Sequence, residues 1–336
     1  MVITKKESTS LKGLCIVSIV MHNVLHILTA AKENEFAFSS DNVTFFFDNF
    51  VDNPLSYIFS FYGWLGVSFF IFISGYGLSV KYGCDDVLSS KWVKQHYLKL
   101  VLLLFPALFV SLLLIIYKYP NQGFVDYGYF IMEQMLLLNI VNPHIIQPGV
   151  FWYIGIAFQF YIWFIWLRKC SNQLLIIIGL CSYLLIAFLP MGCVSYIRHN
   201  SIGWMAEFVF GMLFARCSNI VMGKYCRCVV FILCMLLVIF FSMSRYTFCL
   251  SGLCFVGMLL VVKEQMMKIW TLVYLGGISA CVYVIHPVVR QIWLCYISPL
   301  YPVSPLVVAC LILSISIGIS ILYDTIYVKT YRKWIY

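Results

Sequence analysis

Charged side chains are scarce in this sequence. They make up 10% of its 336 residues, whereas 63% are hydrophobic and 18% are aromatic. A soluble domain carries roughly 25% charged residues, because its whole surface is exposed to water. The shortage therefore excludes a soluble enzyme or a soluble nucleic-acid-binding module, and the long apolar runs match a bilayer instead. We expect no nucleic-acid partner, despite the net charge of +9.

Several other signals are missing. The 14 cysteines include no Cys-x-x-Cys motif and lie mostly alone within apolar runs, which indicates small hydrophobic residues rather than disulfides. The first apolar run contains Lys12, His22 and His26 and leads into the charged segment 32–35 instead of a cleavage site, which indicates a retained helix. Internal repeats are absent, and we predict a single membrane domain over residues 1–336.

About ten apolar segments predict the fold class, an all-α polytopic transmembrane bundle. These segments are 11–30, 56–80, 97–117, 149–167, 173–190, 201–216, 226–243, 246–262, 269–292 and 303–328. If both termini and the even-numbered connections lie on one side, that side holds all 22 basic residues except Lys32, Lys118, Arg198, Arg245 and Arg290. Basic residues favour the cytoplasmic side, so both termini are predicted to be cytoplasmic, with the lipid bilayer as the first partner.

Ionisable side chains in the first segment indicate a structural or functional role, because inserting each one at the centre of a membrane helix costs about 2.5–3.5 kcal/mol. At 1.5 Å per residue, His22 lies roughly 15 Å beyond Lys12, near mid-membrane, and His26 lies roughly 21 Å beyond it. Histidines four residues apart share a helix face. One of them is a candidate general base, and a histidine bonded to a neighbouring helix is the alternative. No third ligand stands out, so we predict no metal.

Two later segments hold further polar residues. The ninth contains Ser279, Tyr283 and His286, and a straight helix from Lys268 puts His286 roughly 27 Å away, near the outer surface. There it would bind a sugar or anchor the helix in the interface. Glu207 in the sixth segment is expected either to pair structurally or to line a hydrophilic cavity.

A basic stretch, KWVKQHYLKL, leads into the third segment and contains Lys94, His96 and Lys99. Such a stretch indicates topology or contact with anionic lipid, and it also suits a polyanionic cytosolic ligand such as a CoA thioester. Trp152 opens an aromatic run that suits either a membrane interface or stacking on sugar rings.

Six segments, taken in order, resemble the acyltransferase 3 family of bacterial integral membrane acyltransferases, over nearly the whole chain. They are LKGLCIVSIVMH at 11–22, GVSFFIFISGYGLS at 66–79, KQHYLKLVLLLFP at 94–106, FWYIGIAFQFYI at 151–162, AEFVFGMLFAR at 206–216 and LGGISACVYVIHP at 275–287. The family more often has arginine where Lys12 stands, with eleven residues to its histidine. Here ten residues rotate His22 by about 80° from Lys12, whereas His26 is only about 40° away, so both histidines stay candidates.

The resemblance implies an O-acyltransferase in the inner membrane of a bacterium. It would move an acyl group, usually acetyl, from cytosolic acetyl-CoA to a hydroxyl of a cell-surface polysaccharide or lipid-linked saccharide. The implied catalytic residues are His22, Lys12 and His26, and the implied donor-binding residues are Lys94, His96 and Lys99. Residues expected to bind the acceptor or support the site are Trp152, Gln159, Glu207, Ser279, Tyr283 and His286.

Two other functions stay open at this point. One is a transporter or flippase, which needs paired coupling charges within the helices, and only Glu207 and Asp324 are candidates for these. The other is a non-catalytic membrane component of surface-polysaccharide assembly.

Overall fold

A computed structural model describes residues 2–29, 33–83, 90–118, 124–137, 151–217, 222–297 and 303–331. Within these ranges the chain forms helices and no β-strand. The α-helices are α1 Lys5–Leu28, α2 Ser40–Asn49, α3 Pro54–Tyr62, α4 Leu65–Tyr82, α5 Ser90–Lys118, α6 Phe124–Met135, α7 Trp152–Leu167, α8 Asn172–Phe188, α9 Met191–Arg198, α10 Met205–Arg216, α11 Lys224–Ser242, α12 Leu250–Met266, α13 Trp270–Gly277, α14 Ser279–Ile292 and α15 Pro305–Tyr323. A 3₁₀ turn, Ser201–Trp204, precedes α10, and π turns extend α14 and α15.

Each of the ten predicted apolar segments contains a helix where the structure describes it. Residues 30, 149 and 150, at the edges of the first and fourth segments, lie outside the described ranges. Two segments are broken rather than continuous. The second is interrupted at residues 63–64, between α3 and α4, and the ninth is interrupted at Ile278, between α13 and α14.

Six of the described helices are long and apolar enough to cross a membrane: Lys5–Leu28, Leu65–Tyr82, Ser90–Tyr117, Lys224–Ser242, Ser279–Ile297 and Pro305–Tyr331. α12 and α13 pass the same test together but are bent by 119°, which brings the total to as many as seven. α7 and α8 are apolar but shorter. The protein is therefore a polytopic helical membrane bundle in which some apolar segments are broken.

α1 lies at the centre of the bundle, where it packs against α3, α4, α12, α13, α14 and α15. A capping box begins it: the Thr4 hydroxyl accepts a hydrogen bond from the Glu7 amide, and the Glu7 carboxylate accepts one from the Thr4 amide. Gly13 crosses Gly276 of α13 so closely that a Cβ atom on either would collide with the opposite backbone. This crossing fixes α1, and with it the first-segment histidines, against the broken ninth segment.

Candidate active site

The break between α3 and α4 provides the first partner of His22. α3 ends at Tyr62, so the carbonyl oxygens of its last turn are not all used within the helix. His22 Nδ1 lies 2.9 Å from the carbonyl oxygen of Ser60 and 3.3 Å from that of Phe59. Because a carbonyl only accepts, Nδ1 carries the hydrogen and donates it. Gly63 permits this contact, since a Cβ atom there would lie 2.6 Å from His22 Cβ.

Glu35 lies on the other side of the same imidazole. Its Oε2 is 3.6 Å from His22 Nε2, and both side chains are buried. Glu35 belongs to residues 33–39, which we call the acidic loop, and Asn34 closes this loop by accepting a hydrogen bond from the Ser39 amide. Among the described residues, His22 Nε2 has no hydrogen-bond partner. The reactive nitrogen of the imidazole therefore faces the Glu35 carboxyl group.

The geometry limits how this pair is protonated. Because Nδ1 must keep its hydrogen, His22 Nε2 and the Glu35 carboxyl group compete for one further proton. Burial raises the pKa of Glu35, and the neighbouring His22 opposes that shift. The pair can accept a proton from a hydroxyl group and later release it, which is what general acid–base catalysis requires.

Arg198 anchors the backbone of the acidic loop. Its side chain is fully buried, and its Nε donates to the carbonyl oxygen of Glu35. Nη1 donates to the Gly203 carbonyl at 3.3 Å, and the guanidinium carbon lies 3.8 Å from a Trp204 ring centroid. The Trp204 indole donates in turn to the Arg198 carbonyl at 2.6 Å. These contacts fix the guanidinium plane and, through it, the position of the Glu35 backbone.

Aromatic side chains cover the residue that follows Glu35. Phe36 stacks on His199 with ring centroids 3.9 Å apart, and Trp152 meets Phe36 edge-on at 5.1 Å. Trp152 also stacks on Trp204 at 5.7 Å. The structure thus puts Trp152, a predicted acceptor residue, beside the acidic loop and its anchor.

His26 lies one helical turn from His22 on α1. The two rings stack with centroids 5.0 Å apart, and His26 Nδ1 donates to the His22 carbonyl at 2.8 Å. Glu33 approaches both rings from the start of the acidic loop. His22 has the α3 carbonyls on one nitrogen and Glu35 on the other, so the geometry favours His22 over His26 as the base.

His286 is fully buried between helices, whereas a straight ninth segment predicts an interfacial position. Its Nδ1 donates to the Val282 carbonyl at 3.1 Å, and its Nε2 accepts from the Asn23 side chain at 3.3 Å. Arg290 donates to the Asn23 carbonyl at 2.7 Å. Both His286 nitrogens are therefore occupied, and the residue ties α14 to α1. The break at Ile278 means that the distance from Lys268 is not that of one straight helix, and the depth of His286 in the bilayer stays a prediction.

A cavity of about 250 Å³ opens between α1, α4, α5, α7 and α14. Its polar lining consists of Lys12, Ser74, Lys99, Tyr153, Tyr161, Ser279, Tyr283 and Tyr331, and we call it the lysine cavity. Ser279, the first residue of α14, lies in the wall of this cavity. The N-terminal end of a helix favours negative charge, because of the helix dipole. Tyr283 lines the cavity, and its ring centroid lies 5.7 Å from that of His286, which bonds Asn23, the residue after His22. The structure groups Lys12 with Lys99 in this cavity, and not with His22.

The two other predicted donor residues lie at different distances from the lysine cavity. The His96 ring is 4.1 Å from a Trp92 ring and 4.5 Å from that of Tyr161, which lines the cavity. Lys94 is exposed on α5 and is not part of the lining. His96 therefore adjoins the cavity, whereas Lys94 faces away from it.

Glu207 and Gln159 make contacts between helices. Glu207 is buried and accepts from the Ser68 hydroxyl at 3.4 Å. Gln159 accepts from the Ser201 amide at 2.9 Å and donates to Asn200 at 3.2 Å. Neither residue lines the lysine cavity or contacts the catalytic pair, so their position suits a supporting role better than substrate contact.

Sequence reasoning missed Glu35 and Arg198 as site residues. In the sequence, Glu35 counts only as part of an acidic connection, and Arg198 only as one of five basic residues away from the cytoplasmic side. The sequence does contain one indication for Glu35, because this acidic residue follows closely after the helix that carries His22 and His26. The sequence contains no such indication for Arg198, because the Glu35 carbonyl that it bonds is 163 residues away in the chain.

Comparison with known proteins adds one finding to this geometry. Searches of curated proteins and of solved structures found no match. The family model described as an acyltransferase domain, Acyl_transf_3, matches residues 7–325. That range contains His22, Glu35, Arg198 and all of the lysine cavity's polar lining except Tyr331. The chain therefore belongs to this family and is a membrane acyltransferase.

Proposed function

We propose that the protein is an O-acyltransferase that moves an acetyl group from cytosolic acetyl-CoA to a hydroxyl of a cell-surface polysaccharide or lipid-linked saccharide. We further propose that it works in the inner membrane of a bacterium. The observation that carries this proposal is the buried His22–Glu35 pair, formed where α1 meets the acidic loop. The cavity offers an anionic thioester two lysines, and the loop side offers a sugar aromatic surface.

The pair supplies the proton transfers that acyl transfer needs. An acceptor hydroxyl oxygen attacks the thioester carbonyl carbon, and its proton moves to the His22–Glu35 pair as the O–C bond forms. The C–S bond then breaks, and the proton passes to the departing thiolate of coenzyme A. The products are an O-acyl ester and free coenzyme A, and the pair returns to its starting protonation state.

Hydrogen-bond donors near the boundary of the cavity suit the charge that develops on the carbonyl oxygen. Tyr283 contributes a hydroxyl to the lining of the cavity, and Ser279 at the start of α14 lies in the same wall. Such donors stabilise an oxyanion most where water is excluded. Lys12 and Lys99 add the positive charge that attracts an anionic donor into the cavity.

The acceptor would approach from the acidic loop. Phe36 and Trp152 are only partly buried there, and their rings give flat apolar surfaces of the kind that stack on sugars. Because Phe36 directly follows Glu35, a sugar held on these rings would have its hydroxyl groups close to the catalytic pair.

The test is the O-acetyl content of surface polysaccharide, measured by NMR in cells that lack the gene and in complemented cells. We expect acetyl signals to vanish on deletion and to return with the wild type and with Lys94→Ala. With His22→Ala they should stay absent, although an immunoblot shows equal protein in the membrane. If acetylation never changes while polymer length or export does, the protein is a transporter or an assembly component instead.

A further inference from the structure

Three potential metal ligands converge at the start of the acidic loop. One side-chain ligand atom each from His22, His26 and Glu33 lies within 4.8 Å of the other two. The two histidines are four residues apart on α1, so they present their rings from the same helix face. The three residues are buried or half-buried, which removes competing water from the ligand atoms.

Both imidazoles are held in the tautomer that a metal ion requires. His22 Nδ1 donates to the Ser60 carbonyl at 2.9 Å, and His26 Nδ1 donates to the His22 carbonyl at 2.8 Å. Each ring therefore keeps its Nε2 lone pair for another partner. Metal-binding histidines are oriented in this way, with the second ring nitrogen donating to a carbonyl or carboxylate.

We propose that His22, His26 and Glu33 form a binding site for a divalent transition metal ion, with zinc as the best match. Two imidazoles and a carboxylate are a ligand set that zinc binds. Glu35 is a candidate fourth ligand on the His22 side, since its Oε2 is 3.6 Å from His22 Nε2. Metal–ligand bonds of about 2.0–2.1 Å require ligand atoms roughly 3.3 Å apart, so ligand atoms that now lie up to 4.8 Å apart must approach one another by up to about 1.5 Å on binding.

The consequence of metal binding is inhibition, and this part rests on the proposed function. A metal ion on His22 Nε2 occupies the lone pair that would accept the proton of the acceptor hydroxyl. The same ion blocks the approach to Glu35 from the acidic loop. Zinc is therefore a reversible inhibitor of acyl transfer that acts from the acceptor side, and a chelator restores activity.

Metal binding can be measured without any acyl transfer. The full-length protein is purified in detergent, treated with chelator, titrated with Co²⁺ and followed by visible absorption. A Cys226→Ser/Cys228→Ser background is used, because those two exposed thiols are only two residues apart and could bind the ion together. We expect one ion per chain, with affinity weakened at least tenfold by Glu33→Gln. Asp41→Asn, which changes an exposed acid just beyond the loop, should bind like the parent. Binding that is absent, or unchanged in Glu33→Gln, would overturn the site.

Transfer of labelled acetyl by membrane vesicles tests the consequence. We expect micromolar Zn²⁺ to lower the parent rate at least tenfold, and to change the rate of Glu33→Gln much less, each rate being compared with the same variant's metal-free rate. Zinc binding without inhibition would overturn the inhibitory role. If the protein binds the metal but never transfers acetyl, the metal site is supported and the proposed function is contradicted. If the protein transfers acetyl but does not bind the metal, the proposed function is supported and the metal site is contradicted.

Discussion

Nε2 of His22 and Oε2 of Glu35 lie 3.6 Å apart on the side of the imidazole that backbone carbonyls leave open. In a Ser-His-Asp triad the carboxylate bonds the nitrogen remote from the substrate and orients the ring. Here the carbonyl of Ser60 holds that nitrogen, and the carboxyl group faces the reacting one. Glu35 is therefore expected to share the proton that His22 accepts, and not merely to orient the ring.

Replacing Glu35 by glutamine tests this proton sharing. Glu35→Gln keeps the size of the side chain but removes the carboxylate, so we expect kcat for acetyl transfer to fall by about 10²–10⁴-fold. The KM for acetyl-CoA should stay unchanged, because the substitution leaves intact the lysine cavity, where we propose that the donor binds. Initial rates in membrane vesicles with labelled acetyl-CoA measure both constants, and Asp41→Asn is the matched control. A wild-type kcat in Glu35→Gln would exclude proton transfer by this carboxyl group.

Arg198 should act as a positioning residue for Glu35. Arg198→Lys keeps the charge but loses the planar fork that bonds the Glu35 and Gly203 carbonyls. We expect a roughly tenfold to hundredfold lower kcat with an unchanged KM for acetyl-CoA, since a displacement of about 1 Å can cost that much. Arg245→Lys is the control, because Arg245 donates to the Leu189 carbonyl and, among the described residues, has no hydrogen bond to Glu35 or His22. Equal losses of kcat and thermal stability in both variants would point to a structural role alone.

Gly63 should be required for the position of His22. In Gly63→Ala the new methyl group would lie 2.5 Å from the Phe59 carbonyl oxygen and 2.6 Å from His22 Cβ, so the imidazole must move. We expect kcat to fall by about 10²-fold. Gly77→Ala on α4 is the matched control, because its methyl group meets nothing within 4 Å. If Gly63→Ala folds and works at the wild-type rate, the backbone contact is not what orients the base.

Lys99 and Lys94 offer a matched pair for the donor site. Lys99 lines the lysine cavity, whereas Lys94 is exposed one and a half turns away on the same helix. Loss of a charge-assisted contact of about 1.5–3 kcal/mol should raise the KM for acetyl-CoA roughly tenfold to hundredfold in Lys99→Ala. Lys94→Ala should leave it unchanged. If instead both variants raise KM equally, general attraction by the basic segment explains donor binding better than the cavity does.

Much of the fold follows from the apolar pattern. Every predicted segment contains a helix, because runs of apolar residues in a bilayer must satisfy their backbone hydrogen bonds internally. The breaks at residues 63–64 and at Ile278 were not predicted, since the residues around them are as apolar as their neighbours. Those breaks shape the candidate site: at one, the Ser60 carbonyl accepts from His22, and at the other, the start of α14 lies in the wall of the lysine cavity.

The candidate site was predicted in part. His22 was selected because an ionisable group within an apolar segment is costly, Lys99 because it lies in a basic stretch, and Lys12 because of the family resemblance. The structure puts His22 beside Glu35 and both lysines in the lysine cavity. The sequence by itself determined that the chain is a helical membrane protein and which of its helices carry costly polar groups, because composition and segment length answer those questions. Only the tertiary structure decided that Glu35, and not Lys12, meets His22. Which side chains meet across a bundle depends on where helices break and cross, and no local pattern records that.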